Sequence, residues 1–254
     1  MSTLTERHEY IINKLKNEGN VKVVNLCNEL NVSTVTIRKD LKILEDKKLI
    51  YRTHGGGTKS NPYTADRPVN EKEKINPDEK QRIGKAAAEL IQPKDCIIIA
   101  SGTTVLSLAK YIHIEESLTV ITAALNIATE LIDHSNIELI QLGGVLRKSS
   151  SSVTGMYAER ILEDFSCSKL FLGVDGIDLD FGLTTTNIME AQLNRKMIET
   201  VQKTIVLADS SKFGKRGFGR ICRIEDIEQI ITDAGISDHM AETLKSMGIE
   251  VTIV

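Results

Sequence analysis

Several glycine-bearing turns in the rear part of this chain carry side chains better suited to chemistry than to packing. In Ser101-Gly102-Thr103-Thr104, the glycine lets a backbone approach a ligand while hydroxyls and free N–H groups point at one anion. That pattern suits a phosphate cradle; an ordinary turn with Thr103 as a helix cap is the alternative. Asn126 begins a later helix and is either a ligand residue or a cap. Gly143-Gly144 with Arg147 adds a cation and close backbone approach, or is a plain loop running into a mobile polar stretch over 148–154. Gly173-Val174-Asp175-Gly176-Ile177-Asp178 places two carboxylates three residues apart around a glycine. Asp175 and Asp178 could accept from neighbouring sugar hydroxyls or work as acid and base; a surface acidic turn is the competing reading. Thr184-Thr185-Thr186-Asn187 follows, with Glu190 one turn into the next helix. Residues 208–214 offer Lys212 as a compact point charge for phosphate, or as a solvated loop lysine.

A different chemistry sits near the front. Residues 31–49 spell a helix with Ser33 as its N-cap. Val35, Ile37, Leu41 and Leu44 recur at roughly helical spacing as an inward stripe, leaving Thr34, Thr36, Arg38, Lys39 and Lys42 mostly on the other side. Short hydroxyls backed by cations fit insertion into a DNA major groove, with Arg38 and the hydroxyls reaching base edges and the lysines meeting phosphates. A solvated basic face is the bland alternative. Context favours the groove reader. Thr5 can cap a helix carrying Ile11, Ile12 and Leu15, and Val24, Leu26, Cys27 and Leu30 make a second short helix before the reader. The strand-like run 49–54, a turn at Gly55-Gly56-Gly57 and a return toward Thr58-Lys59 give a cationic hairpin bearing Arg52, His54 and Lys59. Three helices and such a hairpin form a winged helix-turn-helix.

The elements that must position the rear turns alternate. Short apolar runs at 96–100, 118–122, 137–142, 169–174, 204–208, 229–232 and 250–254 read as buried strands. Helical patterns lie at 79–91, 103–111, 125–133, 157–163, 187–202 and 238–247. The fold class expected is therefore α/β, a mostly parallel sheet covered on both faces, with ligands beyond the carboxyl ends of its strands. The chain divides into 1–58 as the DNA-binding domain, 59–77 as a charged, proline-bearing linker and 78–254 as the α/β body. Residues 1–60 hold 11 Lys and Arg against 7 Asp and Glu, while the remainder is acidic, 21 against 28. A basic module on an acidic body is the footprint of a small domain meeting nucleic acid. The N-terminus lacks an apolar signal core, and no apolar run approaches the ~18 residues of a membrane span. Cys27, Cys96, Cys167 and Cys222 lie far apart in or beside apolar stretches, as reduced thiols of a cytoplasmic protein do. No metal, cofactor or membrane partner is expected.

Residues 6–57 resemble the DNA-binding domain of the DeoR family of bacterial transcription regulators, on Glu6-Arg7, the VSTVTIRKDLKILE run and YRTHGGG. Cys27 and Gly57 depart from small residues usual there and lie off the reading face. SGTT, GVDGID, GLTTTN…EA with Arg195, and LADSSKFG likewise look like that family's C-terminal sensor domain, in order. The resemblance implies a sugar-phosphate-binding body similar in fold to ribose-5-phosphate isomerase, sensing an effector for a repressor. It also implies partners: double-stranded operator DNA, a phosphorylated sugar or polyol, and further copies of the chain as a dimer or tetramer. Ala100 stands where the family often has aspartate, so the usual contact is not carried over there. The alternative is a phosphosugar isomerase-like enzyme with an appended DNA-binding domain. Against it, the second turn lacks the isomerases' lysine and glycines, and the helix reads Asn194-Arg195-Lys196 where a proton-moving carboxylate belongs; Glu190 is the remaining candidate base. A non-enzyme is expected.

Overall fold

A computed structural model describes residues 3–47, 49–53, 55–59 and 67–254. The chain forms two compact units, residues 1–65 and 66–254.

The first unit runs α1 (Leu4–Glu18), β1 (Asn20–Lys22), α2 (Val23–Leu30), α3 (Thr34–Asp46), β2 (Tyr51–Thr53) and β3 (Gly56–Thr58). Thr3, two residues before the expected Thr5, caps α1 through a reciprocal box: its hydroxyl accepts from the Glu6 amide and Glu6 accepts from the Thr3 amide. Ser33 caps α3 as expected, accepting from the Thr36 amide at 3.2 Å. Ile11, Leu15, Val21, Leu26, Ile37, Leu41, Leu44 and Ile50 close a core of their own. Val35, expected inward, is 72% exposed, and Val24 is 65% exposed. Two residues along a helix turn it by about 200°, so Val35 must face away once Ile37 faces in. The wing is three-stranded, in the order β1-β3-β2, with Gly56 and Gly57 inside β3 instead of forming the turn. Glycine is required at 56 because a Cβ there would run into the Val21 carbonyl oxygen.

One polar contact ties the reading helix to α1. Asp40, 1% exposed on the inward side of α3, accepts from Arg7 Nε at 2.8 Å and Nη2 at 3.2 Å, with His8 Nε2 3.4 Å away.

The second unit runs α4 (Val69–Glu73), α5 (Pro77–Ala88), β4 (Cys96–Ile99), α6 (Thr103–Ala109), β5 (Leu118–Thr122), α7 (Leu125–Leu131) and β6 (Ile137–Gln141). It continues through β7 (Val145–Arg147), β8 (Ser152–Thr154), α8 (Met156–Leu162), β9 (Cys167–Gly173), β10 (Gly176–Asp178), β11 (Gly182–Thr185), α9 (Ile188–Glu199) and β12 (Val201–Leu207). After a 3-10 turn, Ser210–Lys212, come β13 (Gly219–Cys222), β14 (Gln229–Thr232), α10 (Asp238–Ser246) and β15 (Glu250–Ile253). Seven strands form one parallel sheet ordered β15-β14-β12-β9-β4-β5-β6. Alternate residues feed opposite faces. Ile97, Ile99, Phe171 and Ile205 pack under α5, α6 and α7, while Ile98, Leu170, Leu172 and Val206 pack under α8, α9 and α10. Among the described residues no helix is long and apolar enough to cross a membrane.

Three expectations change here. The linker reading of 59–77 fails at its end, where α4 and Asn76 bond to the α/β unit; residues 60–66 lie outside the described residues. Part of the polar stretch 148–154 is strand β8, buried throughout. The cysteines are not all apart: pairing of β4 with β9 brings Cys96 and Cys167 Sγ to 2.7 Å, and burial pushes the Cys167 thiol pKa up.

Asp40→Ala leaves the Arg7 guanidinium without its carboxylate, and losing one member of a buried pair costs about 3–5 kcal/mol. A urea melt should show the first unit's transition moving to lower denaturant by that amount; an unchanged midpoint would show that the pair does not hold α3.

Candidate functional site

In the parallel sheet, chain order runs outward from the centre in two directions. β4, β5 and β6 go one way, and β9, β12, β14 and β15 go the other. The reversal lies between β4 and β9, and a crevice opens at the carboxyl ends of strands at such a point. A cleft open to solvent at its mouth occupies it. The turn after β4 supplies Ser101, Gly102, Thr103 and Thr104; the turn after β9 supplies Asp175; the 3-10 turn after β12 supplies Lys212; β7 and α9 supply Arg147 and Glu190. Gly102, at φ +138°, opens α6 without a side-chain cap, a conformation that only glycine takes without strain.

Hydrogen bonding separates these residues into two groups. Asp175 is fixed: Lys72 Nζ donates to Oδ1 at 2.8 Å, and Thr185 Oγ1 and the Thr186 amide donate to Oδ2 at 3.0 and 3.2 Å. Glu190 is held as well, accepting from Ser152 at 3.3 Å, with the Thr185 hydroxyl, whose proton is shared with Asp175, 3.4 Å away and Arg147 Nε 3.6 Å away. Arg147 also donates to Ser149 and Ser150. By contrast, the side chains of Ser101, Thr103, Thr104, Asn194 and Lys212 line the cleft with no hydrogen-bond or ion-pair partner among the described residues. Thr104 and Asn194 are each only 6% exposed. These polar side chains therefore keep hydrogen-bonding capacity open to the cleft, beside carboxylates already in place.

Burial pushes the Asp175 carboxyl up, but Lys72, Lys212 and the donors from Lys72 and Thr185 outweigh it and hold its pKa below the usual range. Asp209, which accepts from Asn76 at 2.9 Å, is likewise raised by burial and lowered further by Ser211, Lys212, Asn76 and Lys80. Both are carboxylates at neutral pH. Lys80 is 4% exposed and donates to the carbonyls of Lys72 and Ile75. Burial pushes its ammonium down to about 8, with Lys212 and Lys72 adding to the shift and Asp209 opposing it.

Five residues expected at this site do not line it. Asp178 is paired with Arg216 at 2.7 Å and accepts the amides of Asp180 and Phe181, closing its own turn. Asn187 caps α9, accepting from the Met189 and Glu190 amides. Asn126 accepts only the amide of its neighbour Ile127. Gly144 and Gly176 serve packing, since a Cβ on either would meet the carbonyl oxygen of Thr154 or Lys215 at 2.6 or 2.5 Å. Ala100 is fully buried in the core and contributes nothing to the cleft. Sequence reasoning missed Val69, Lys72, Ser149, Ser150 and Asn194 among the lining residues. Asn194 was recoverable, because it lies four residues after Glu190 and so shares its helix face; Lys72 sits in a charge-dense run with no distinguishing signal.

On α3, Thr34, Arg38, Lys39 and Lys42 are exposed, and the three cations form no ion pair among the described residues. Val35 joins that outer face, while Thr36 is half-buried beside the Ser33 hydroxyl at 3.0 Å. Arg52 is engaged by Glu45, 3.8 Å from Nη1, and its amide donates to the same carboxylate. His54 lies outside the described residues.

Residues 7–62 match the DeoR-like helix-turn-helix domain and residues 75–234 the DeoR C terminal sensor domain. The chain belongs to the DeoR family of transcriptional regulators. An Escherichia coli O157:H7 protein assigned as a transcriptional repressor of the aga operon is 39% identical, over 98% of this chain and 94% of that one. Two Bacillus subtilis regulators, YulB at 35% and the repressor GlcR at 32% identity, align over 99% and 98% of this chain and 97% and 95% of their own. Methanocaldococcus jannaschii ribose 5-phosphate isomerase A aligns over 54% of this chain and 55% of its own at 16% identity with a TM-score of 0.41, too distant to bear on activity. α3 thus lies within the segment that matches the DeoR-like helix-turn-helix domain, and most of the cleft lining lies within the segment that matches the sensor domain.

Between pH 8 and about 10.4, the ordinary lysine value, folded Lys80 has shed a proton that the unfolded chain still holds. Its burial cost is therefore present below pH 8 and is relieved as pH rises through that window. Across it the stability of the protein relative to Lys80→Met should rise, by at most about 3 kcal/mol. Parallel thermal melts at neutral and alkaline pH check this, and a difference that stays constant would refute it.

Proposed function

We propose that this regulator represses a carbohydrate operon, and that a phosphorylated sugar or polyol in the sensor cleft controls its hold on duplex operator DNA. The observation that carries the reading is the division of the cleft into unpartnered donors and fixed carboxylates. A phosphate takes the Lys212 ammonium and the hydroxyls of Ser101, Thr103 and Thr104. Sugar hydroxyls donate to Asp175 and Glu190, whose free lone pairs remain in reach, and accept from Asn194 and Arg147. The family membership and the operon named for one relative support a sugar-linked ligand. Ligand release of DNA needs only a modest differential affinity, typically about 1–3 kcal/mol.

At the operator, Arg38 and Thr34 reach base edges, Lys39 and Lys42 meet phosphates, and exposed Val35 is placed for a thymine methyl. Ser33 and Thr36 act through the cap that orients the first turn, and Arg52 contributes from the wing. Two such heads on half-sites about 34–36 Å apart, or a multiple of that, require more than one copy of the chain. Val145, Met156, Tyr157 and Phe218, each 63–68% exposed, are apolar side chains of the sensor unit available for self-association. The cleft performs no catalysis in this reading: its two carboxylates are held as hydrogen-bond acceptors, and the curated relatives are named as regulators. A coupled isomerase assay on phosphosugars should therefore register no turnover.

Arg38→Ala should cost about 1–3 kcal/mol of operator affinity and relax specificity at one base position; retained affinity and specificity in a gel shift would count against the reading face. Thr103→Ala combined with Lys212→Ala should abolish both the rise in melting temperature given by phosphorylated sugars and the ligand-dependent change in operator affinity. A double variant that still responds would remove these residues from the site.

A further inference from the structure

The short helix α4 connects two facts that the effector reading leaves separate. It starts at Val69, four residues after the end of the DNA-reading unit at Ala65. It also lines the sensor cleft, through Val69 and Lys72. Yet α4 has no fully buried residue of its own, Val69 and Lys72 being half-buried.

What fixes it is a short set of polar contacts. The Val69 amide donates to the Ser149 carbonyl at 2.7 Å, in the turn that also carries Arg147 and Ser150 of the cleft. Lys72 Nζ donates to Asp175 at 2.8 Å. Lys80 reaches up to the carbonyls of Lys72 and Ile75, and Asn76 anchors the following turn on Asp209. Glu73 and Lys110 form an exposed pair at 3.3 Å. Elements held by few polar contacts lie at the low-stability end of a protein and respond first to a ligand. Of the contacts above, the Lys72–Asp175 pair is the one between charged side chains that both line the cleft.

We propose that Lys72 is a ligand-binding residue of the sensor cleft, and that α4 is the element through which occupancy reaches the tether of the DNA-reading unit. An ammonium has three donors, and one of them is committed to Asp175. An anion bound beside Lys212 takes another, so Lys72 bridges ligand and carboxylate and clamps α4 over the cleft. Asp175 keeps its place because Thr185 and the Thr186 amide hold its second oxygen. The ligand's differential interaction with clamped and loose α4 is then what changes the start of the tether, as linkage requires. This inference rests on the cleft being the effector site and adds to that reading the residue and the segment that respond.

The test is hydrogen–deuterium exchange of the full-length chain with inorganic phosphate, against chloride at matched ionic strength. Phosphate should slow exchange several-fold in peptides covering 67–76 and in those covering 101–106. In Lys72→Gln the slowing over 67–76 should vanish while that over 101–106 persists, and Lys72→Arg, which keeps the charge, should restore it. Exchange across the parallel sheet reports whether each variant is folded. Slowing over 101–106 with no effect on 67–76 in the wild type, or equal slowing of 67–76 in Lys72→Gln, overturns the role of α4 while leaving the cleft reading standing. Absence of slowing in both segments overturns the two together.

Discussion

The structure of the sensor unit depends on one constraint: β4 and β9 are hydrogen-bonded neighbours, and chain order runs away from them in both directions. No crossover helix can then cover the gap between the turns that follow these two strands. The turns at 101–104 and at Asp175 face one another across that gap, and β12 adds Lys212 from the next position. Strand pairing thus decides where a ligand can sit before any side chain is chosen. The strands on either side are buried on both faces, with Ile97, Ile98, Ile99, Phe171 and Leu172 at zero exposure. The crevice consequently has a rigid floor, and adjustment is left to its rim.

Electrostatics then divides labour inside the crevice. Asp175 and Asp209 remain ionised although burial opposes it, because nearby lysines and side-chain hydrogen-bond donors supply more than burial removes. In the same neighbourhood Lys80 and Lys215 are pushed down, each by burial first and by the charge of Lys212. A region whose lysines already repel one another has a deficit of negative charge that an arriving phosphate removes. A neutral sugar would satisfy the acceptors and leave that deficit, which is why the phosphorylated form is the better occupant.

Much of this was legible in the sequence, for physical reasons. The inner strands of the sheet are largely buried on both faces and so appear as apolar runs; each expected run coincides with a strand to within a few residues. The expected helix over 187–202 overran because Val201 and Gln202 carry no stop signal, and the change to strand is set by pairing of Val201 with Cys167. Strands β7, β8, β10, β11 and β13 were invisible, since they are only three or four residues long and, β7 apart, carry glycine or hydroxyl residues. The reading helix was legible from its cap and cations, but Val35 was misassigned by a stripe drawn too generously. Turn carboxylates were the hardest case. Asp175 and Asp178 look alike as sequence, and the amides of Asp180 and Phe181 together with Arg216 make one a closed turn, while the other stays in the cleft.

The first unit's own construction limits how an effector can act on it. Its core is complete without the sensor, and Arg7–Asp40 locks α3 to α1 from the inside. In the proposed reading a ligand has no packing in the head to rearrange and acts at the rim of the cleft. There α4 lines it, and the turn after β7 and the first turn of α9 line it beside exposed Leu146, Ile188 and Met189. A coupling of about 1–3 kcal/mol is of the size that one or two charge-assisted hydrogen bonds provide. Regulation on that scale therefore needs no refolding of either unit, only a rim whose polar contacts are few enough for one ligand to outweigh.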